Sequence, residues 1–213
     1  MAAIVDLLQN VAQKVRRCPT PTLVHAYRSA AIEFCTQSRW LRRTIEPLLE
    51  VGDQALALTL ESADAGLRII GTRGLRAYKL SRPQNDWPLP PQDSTLWRLN
   101  QPAAQPRCYA YQPESSLIFP APSDAEYVVR VVAQVTPTDT TADIPDDLLA
   151  KWQRKLDEGA LSYLFAIEGQ SWTDKQAAVR SATSFQAAIN NAKADEARSY
   201  NTGTTMARIP RVF

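Results

Sequence analysis

Histidine is almost missing from this sequence: His25 is the only one among 213 residues. Histidine metal clusters are therefore excluded, and a Ser-His-Asp or Cys-His catalytic group would have to be built around that one ring. At the first turn of a helix, His25 reads as a solvated or capping residue. Cysteine is scarce too. Cys18, Cys35 and Cys108 are odd in number and far apart, which argues against a disulfide framework and for free thiols made in a reducing compartment. The seven glycines are scattered and form neither G-x-x-x-x-G-K-S/T nor G-x-G-x-x-G, so no phosphate-cradling loop is present. A run of about 18 apolar residues, which a membrane helix needs, does not occur, and the first residues lack the pattern of a signal peptide. Neither sign of charge is in excess. With a net charge of +2 and a pI near 8.5, the whole-chain field gives no strong pull toward nucleic acid, membranes or acidic substrates. The carboxylates Asp146, Asp147, Asp157 and Glu158 are better explained as helix-terminal and solvated groups than as acid/base or magnesium ligands. These absences lead us to expect a non-enzymatic chain with no cofactor, no metal site and no membrane contact.

What is present is a soluble globular composition, 45% hydrophobic, with two changes of period along the chain. Ile4, Leu7, Leu8, Val11 and Val15 recur at helical spacing and predict a first helix that stops near Cys18. Pro19-Thr20-Pro21 supplies an N-cap hydroxyl and a first-turn proline, and Val24, Tyr27, Ala31 and Phe34 continue as the stripe of a second helix that decays after Ser38. From Gln54 the period falls to two, with Leu56, Leu58 and Leu60 alternating as a strand. Leu67–Ile70 and Leu75–Leu80 flank Gly71-Thr72-Arg73-Gly74, which predicts a hairpin with its turn at the glycines. Residues 82–106 are rich in proline and lack a period, so they are expected to be a long surface loop. Arg107–Gln112 and Ser116–Phe119 flank a turn at Pro113-Glu114, and Tyr127, Val129, Val131, Ala133 and Val135 alternate along the longest strand.

Pro145, followed by Asp146 and Asp147 where the helix dipole favours negative charge, opens a third helix. Its buried face is predicted to hold Leu148, Leu149, Trp152, Leu156, Tyr163, Leu164 and Ile167, with Gly169 as a left-handed C-cap. Thr173 and Gln176 match a capping box for a fourth helix carrying Ala178, Ala182, Phe185, Ile189 and Ala192. The expected fold is α+β, a four-helix bundle interrupted by a small antiparallel β-domain. Residues 1–50 hold the N-terminal helices, 51–137 the β insertion, 138–197 the C-terminal helices and 198–213 an extended tail.

Two segments stand out as binding candidates. Arg39, Trp40, Arg42 and Arg43 interleave cations with an aromatic ring, a pattern that can grip phosphate and stack on bases; it is also how a helix end complements its dipole, and the second reading is favoured. The tail carries Tyr200, Met206, Arg208, Ile209, Pro210, Arg211, Val212 and Phe213. It has too few apolar residues for a core, yet ends in apolar anchors, which suits docking to a groove or a strand edge on a neighbour.

The stretch Ala30-Ala31-Ile32-Glu33-Phe34-Cys35, Pro145-Asp146-Asp147-Leu148-Leu149, Gly159-Ala160-Leu161 and the turn Trp172-Thr173-Asp174 follow one another in an order that resembles the head-to-tail adaptor (connector or neck) proteins of tailed bacteriophages. The resemblance spans nearly the whole chain and involves no catalytic motif. It implies a structural virion protein of the neck, made in the host cytoplasm, that forms a homo-oligomeric ring, usually of twelve subunits. Such a ring joins the portal protein to a tail or nozzle protein and continues the channel for double-stranded DNA without reading its sequence. It also implies that the tail reaches the portal. Leu23, Ile32, Leu161 and Phe165 lie outside the main helical stripes and are the candidate ring contacts, since heterologous contacts must close by rotation. The alternatives are another neck or tail-completion component docking a tail protein, and a nucleic-acid-binding module.

Overall fold

The computed structural model describes residues 1–97, 101–112 and 116–200. Its helices are α1 (Ile4–Leu7), α2 (Gln9–Lys14), α3 (Thr20–Ser38), α4 (Asp146–Ala166) and α5 (Lys175–Tyr200). Its strands are β1 (Ala2–Ala3), β2 (Arg42–Ile45), β3 (Leu48–Leu49), β4 (Ala55–Ala57), β5 (Leu67–Lys79), β6 (Asp86–Pro88), β7 (Ala110–Gln112), β8 (Ser116–Ile118), β9 (Tyr127–Pro137) and β10 (Asp143–Ile144). The described residues fall into two compact units, one drawn from residues 1–40 and 144–200 and the other from residues 41–143.

The first unit is helical, but it is not the expected four-helix bundle. Among the described residues the chain has five helices and three sheets. The expected first helix is divided at Leu8 and ends at Lys14, short of Cys18. The physical reason is a change of partner: α1 packs on α3 and α2 on α4. A helix this short is too weak on its own to hold a straight axis against tertiary packing. The long helices α3, α4 and α5 build the core, around Tyr27, Phe34, Leu148, Leu156, Leu161 and Ile189, all nearly inaccessible to solvent. They meet at Gly159 of α4. A Cβ placed there would lie 2.7 Å from Cε2 of Phe185 on α5 and 3.0 Å from Cβ of Ala30 on α3. Glycine in a helix interior costs about 1 kcal/mol relative to alanine, and here it makes room for an aromatic ring. α5 is capped by Asp174, whose carboxylate accepts the Ala177 N–H at 2.9 Å. The expected cap, Thr173, instead holds the preceding turn: its hydroxyl donates to the Ile167 carbonyl and accepts the Gln170 N–H. α4 ends at Ala166, and Gly169 takes its left-handed conformation (φ 76°) three residues later. α5 runs on to Tyr200, so Arg198, Ser199 and Tyr200 are its last turn rather than the start of the tail.

The second unit is built on β9, antiparallel to β2 and β3 along one edge and to β5 along the other. Tyr127, Val129, Val131, Ala133 and Val135 of β9 are buried, as their alternation predicts. β6 pairs with the end of β5, and β4, β8 and β7 form a separate three-stranded sheet. The hairpin expected at Gly71–Gly74 is absent. β5 is continuous through it and gains one residue on β9 between Ile69 and Gly71 and one between Arg73 and Arg76. Gly74 has φ 64°: the glycine conformation that a tight turn needs serves equally for a bulge. The described residues of 82–106 are mostly exposed and irregular, as expected, but the segment is anchored. Asp86–Pro88 is an edge strand, where proline is tolerated. Trp87 packs edge-on against Tyr127 at 5.7 Å and donates its indole N–H to the Pro106 carbonyl at 2.9 Å, while Leu89 is buried.

Candidate functional site

The helical unit carries a cation and aromatic cluster where α3 ends. Arg39 stops the helix by adopting a left-handed conformation (φ 54°) while its N–H still bonds the Cys35 carbonyl at 2.9 Å. Trp40, the next residue, meets Trp152 of α4 edge to face at 6.1 Å, and Trp152 leans on Phe34 at 5.1 Å. The Lys151 ammonium stands 5.7 Å from the Trp40 ring centre and 5.2 Å from that of Trp152. It also donates to Asp195 Oδ2 of α5 at 2.6 Å. That hydrogen bond, with the charges of Lys151 and Arg198, holds the Asp195 carboxyl below the ordinary range.

A second polar junction lies deeper. Asp157 of α4 is only 7% exposed, and its Oδ2 accepts from Asn10 of α2 at 3.4 Å. Its Oδ1 and the hydroxyl of Tyr27 on α3 are buried without a well-formed hydrogen bond. Burial raises the Asp157 carboxyl above its usual range, against the opposing influence of Asn10, Tyr27 and Lys14. Burial, followed by the charge of Asp157, raises the Tyr27 phenol. On the α4–α5 seam, Lys155 donates to Ser184 at 3.0 Å and to Glu158 at 3.1 Å, and Ser184 donates to Glu158. This is a partly exposed network that ties two helices together. Among the described residues no three histidine, cysteine or acidic side chains gather as a metal site, and no helix is long and apolar enough to cross a membrane.

In the β unit, Arg43 pairs with Asp64 at 2.9 Å and also donates to the Arg42 carbonyl at 2.8 Å. Arg76 grips Asp86 with two nitrogens, and Arg130 bonds Glu46 at 2.6 Å. A groove of 530 Å³ runs past Val51, Lys79, Leu80, Asp124 and Glu126. Val51 and Leu80, 64% and 48% exposed, are its apolar part.

The structure thus disperses the basic run. Arg39 is exposed, but Trp40 is spent on Trp152 and Lys151, and Arg42 and Arg43 belong to β2. Of the candidate ring contacts, Leu23 and Leu161 are 4% and 2% exposed within the subunit's own core and have no apolar surface left for a neighbour, whereas Ile32 and Phe165 are half-buried. Of the tail candidates, Tyr200 closes α5, while Met206, Arg208, Ile209, Pro210, Arg211, Val212 and Phe213 lie outside the described residues. Tyr163 and Ile167, expected on the buried face of α4, are exposed, as is Val179 on α5. The Tyr163 hydroxyl donates to Glu33, and burial together with this bond pushes its phenol up to about 12. Sequence reasoning missed this exposed group because Tyr163 also fits the heptad spacing from Leu156. The small residues Gly159 and Ala160 were the signal that the seam takes in Leu161 beside the expected Leu164.

Residues 1–208 match a family model described as SU10 adaptor protein. Comparison with curated proteins gives no match.

Proposed function

Because the chain belongs to the SU10 adaptor protein family, a family of phage head-to-tail adaptors, we propose that it works as one subunit of a ring, expected to be of twelve copies, between the portal and the tail. In this reading the ring continues the channel for double-stranded DNA, and residues 201–213 dock on the portal protein. A tail or nozzle protein binds the opposite side. The adaptor role places the protein in the neck of the virion and makes its work structural.

The observation that carries the reading is the span of the family match, which takes in both units and continues past the last helix to residue 208. The residues themselves support it. Their polar clusters tie helices or strands to one another, and among the described residues none presents a nucleophile and base around a pocket where a reacting group would sit. Ring contacts are assigned to the apolar side chains the subunit leaves accessible, Ile32, Tyr163, Phe165 and Ile167 on the helical unit.

The test is native mass spectrometry of the chain, alone and mixed with the portal protein of its own phage, for the full-length protein and for a version ending at Tyr200, where α5 ends. The reading predicts that the full-length chain joins the portal as a ring and the shortened one does not. A full-length protein that stays monomeric in the presence of portal would overturn it.

A further inference from the structure

We propose that Lys151, seated over Trp40 and Trp152, is a positioning residue for the root of the docking tail. The inference rests on the reading of residues 201–213 as the portal contact. The apolar packing of α5 stops early: Phe185, Ala188, Ile189 and Ala192 are buried, and beyond them Lys193, Ala194, Ala197 and Arg198 are exposed, while the buried side chain of that stretch, Glu196, is a carboxylate. Residues 193–198 therefore bury no apolar side chain, and polar contacts have to hold this end of the helix. An end of this kind frays unless something else pins it.

The Lys151–Asp195 link, at 2.6 Å, falls in that stretch. A lone exposed ion pair would contribute little, because two mobile side chains must be held in one geometry. Here the ammonium is already placed by two indole rings, 5.7 and 5.2 Å away, whose π faces attract it. Trp152 is itself wedged against Phe34 and Trp40, so the cation comes to Asp195 from a preset direction. The cluster gathers the end of α3, the first turns of α4 and the last turns of α5 on one spot. A tail leaving a pinned helix starts from a fixed point, and less freedom is lost when it docks.

The experiment compares four full-fold proteins: wild type, Lys151→Met, Lys151→Arg and the chain ending at Tyr200. Hydrogen exchange of residues 193–200 and affinity for the portal protein are read for each. Asp195→Asn, which cuts the same link from the other side, serves as a second variant should Lys151→Met fold poorly. Lys151→Met is expected to speed exchange across 193–200 and to weaken portal binding by roughly threefold to tenfold, the loss that follows from freeing one or two ordered side chains. Lys151→Arg, which keeps the charge over the rings, is expected to restore both. Wild-type exchange and affinity in Lys151→Met, with the shortened chain unable to bind, would overturn the positioning role and leave the tail reading intact. If the shortened chain binds as well as the full one, the tail reading fails. Exchange then decides the clamp: faster exchange in Lys151→Met supports it, and unchanged exchange removes it.

Discussion

Gly159 and Gly74 belong to the two units of the molecule and are used in opposite ways. Gly159 has an ordinary helical backbone and is required for space, because α3 and α5 approach α4 so closely that the ring of Phe185 occupies the place of a Cβ. Gly74 is exposed and is required for conformation, because it carries a positive φ where β5 gains a residue on β9. The difference extends to each unit as a whole. The helical unit is determined by volume at a three-helix seam. The β unit is determined by backbone geometry and by clasps such as Trp87 on Tyr127, and it holds most of the prolines.

The comparison can be broken at its stronger side first. Gly159→Leu is expected to destabilise the protein by about 3 kcal/mol, the upper part of the range for overpacking a close-packed core, measured as a lower urea midpoint followed by helical circular dichroism. Adding Phe185→Ala should recover part of that loss, since the two side chains compete for one volume. Full additivity would mean that Gly159 is not there for the ring. Gly74→Ala is expected to cost about 1 kcal/mol, the penalty for a side chain in the left-handed region. Gly74→Asn should cost less, because asparagine visits that region readily. An equal loss for alanine and asparagine would put the requirement elsewhere than φ.

The smallest effect concerns pH. The Asp157 carboxyl titrates above its ordinary value of 3.8 in the folded chain, so over the interval between the two values the folded state retains a proton that the unfolded state has released. Stability from this group is therefore present at low pH and is lost as pH rises through its folded value. Urea midpoints of wild type and Asp157→Asn, measured from pH 3 to 7, should move in favour of the variant as pH rises. A constant difference would show that Asp157 titrates normally.

The elements whose hydrophobic pattern is read locally were legible in the sequence. α3 ends at Ser38, where its stripe decays, and begins within one residue of the expected start, with Pro19 as its N-cap in place of Thr20 and no side-chain cap; β9 buries the residues that alternate along it. What was not legible depended on partners distant in the chain. A glycine with positive φ suits a turn or a bulge, and only the pairing of β5 along β9 selects the bulge. The proline-rich segment has no period, so its attachment through Trp87, Leu89 and Pro106 leaves no local trace. The division of the first helix at Leu8 follows from packing on two different helices. At the site, Trp40 was noticed as one aromatic among arginines, but its use is set by Lys151 and Trp152, more than a hundred residues away. The stripe that put Tyr163 inside and Leu161 outside failed because both spacings are helical.

The most direct test of the adaptor reading is a cryo-electron microscopy reconstruction of the neck of the phage that carries this protein. The account predicts a closed ring of the α3–α4–α5 unit directly beneath the portal, with chain beyond Tyr200 continuing into density on the portal surface. A neck whose portal contacts the tail with no such ring between them would contradict it.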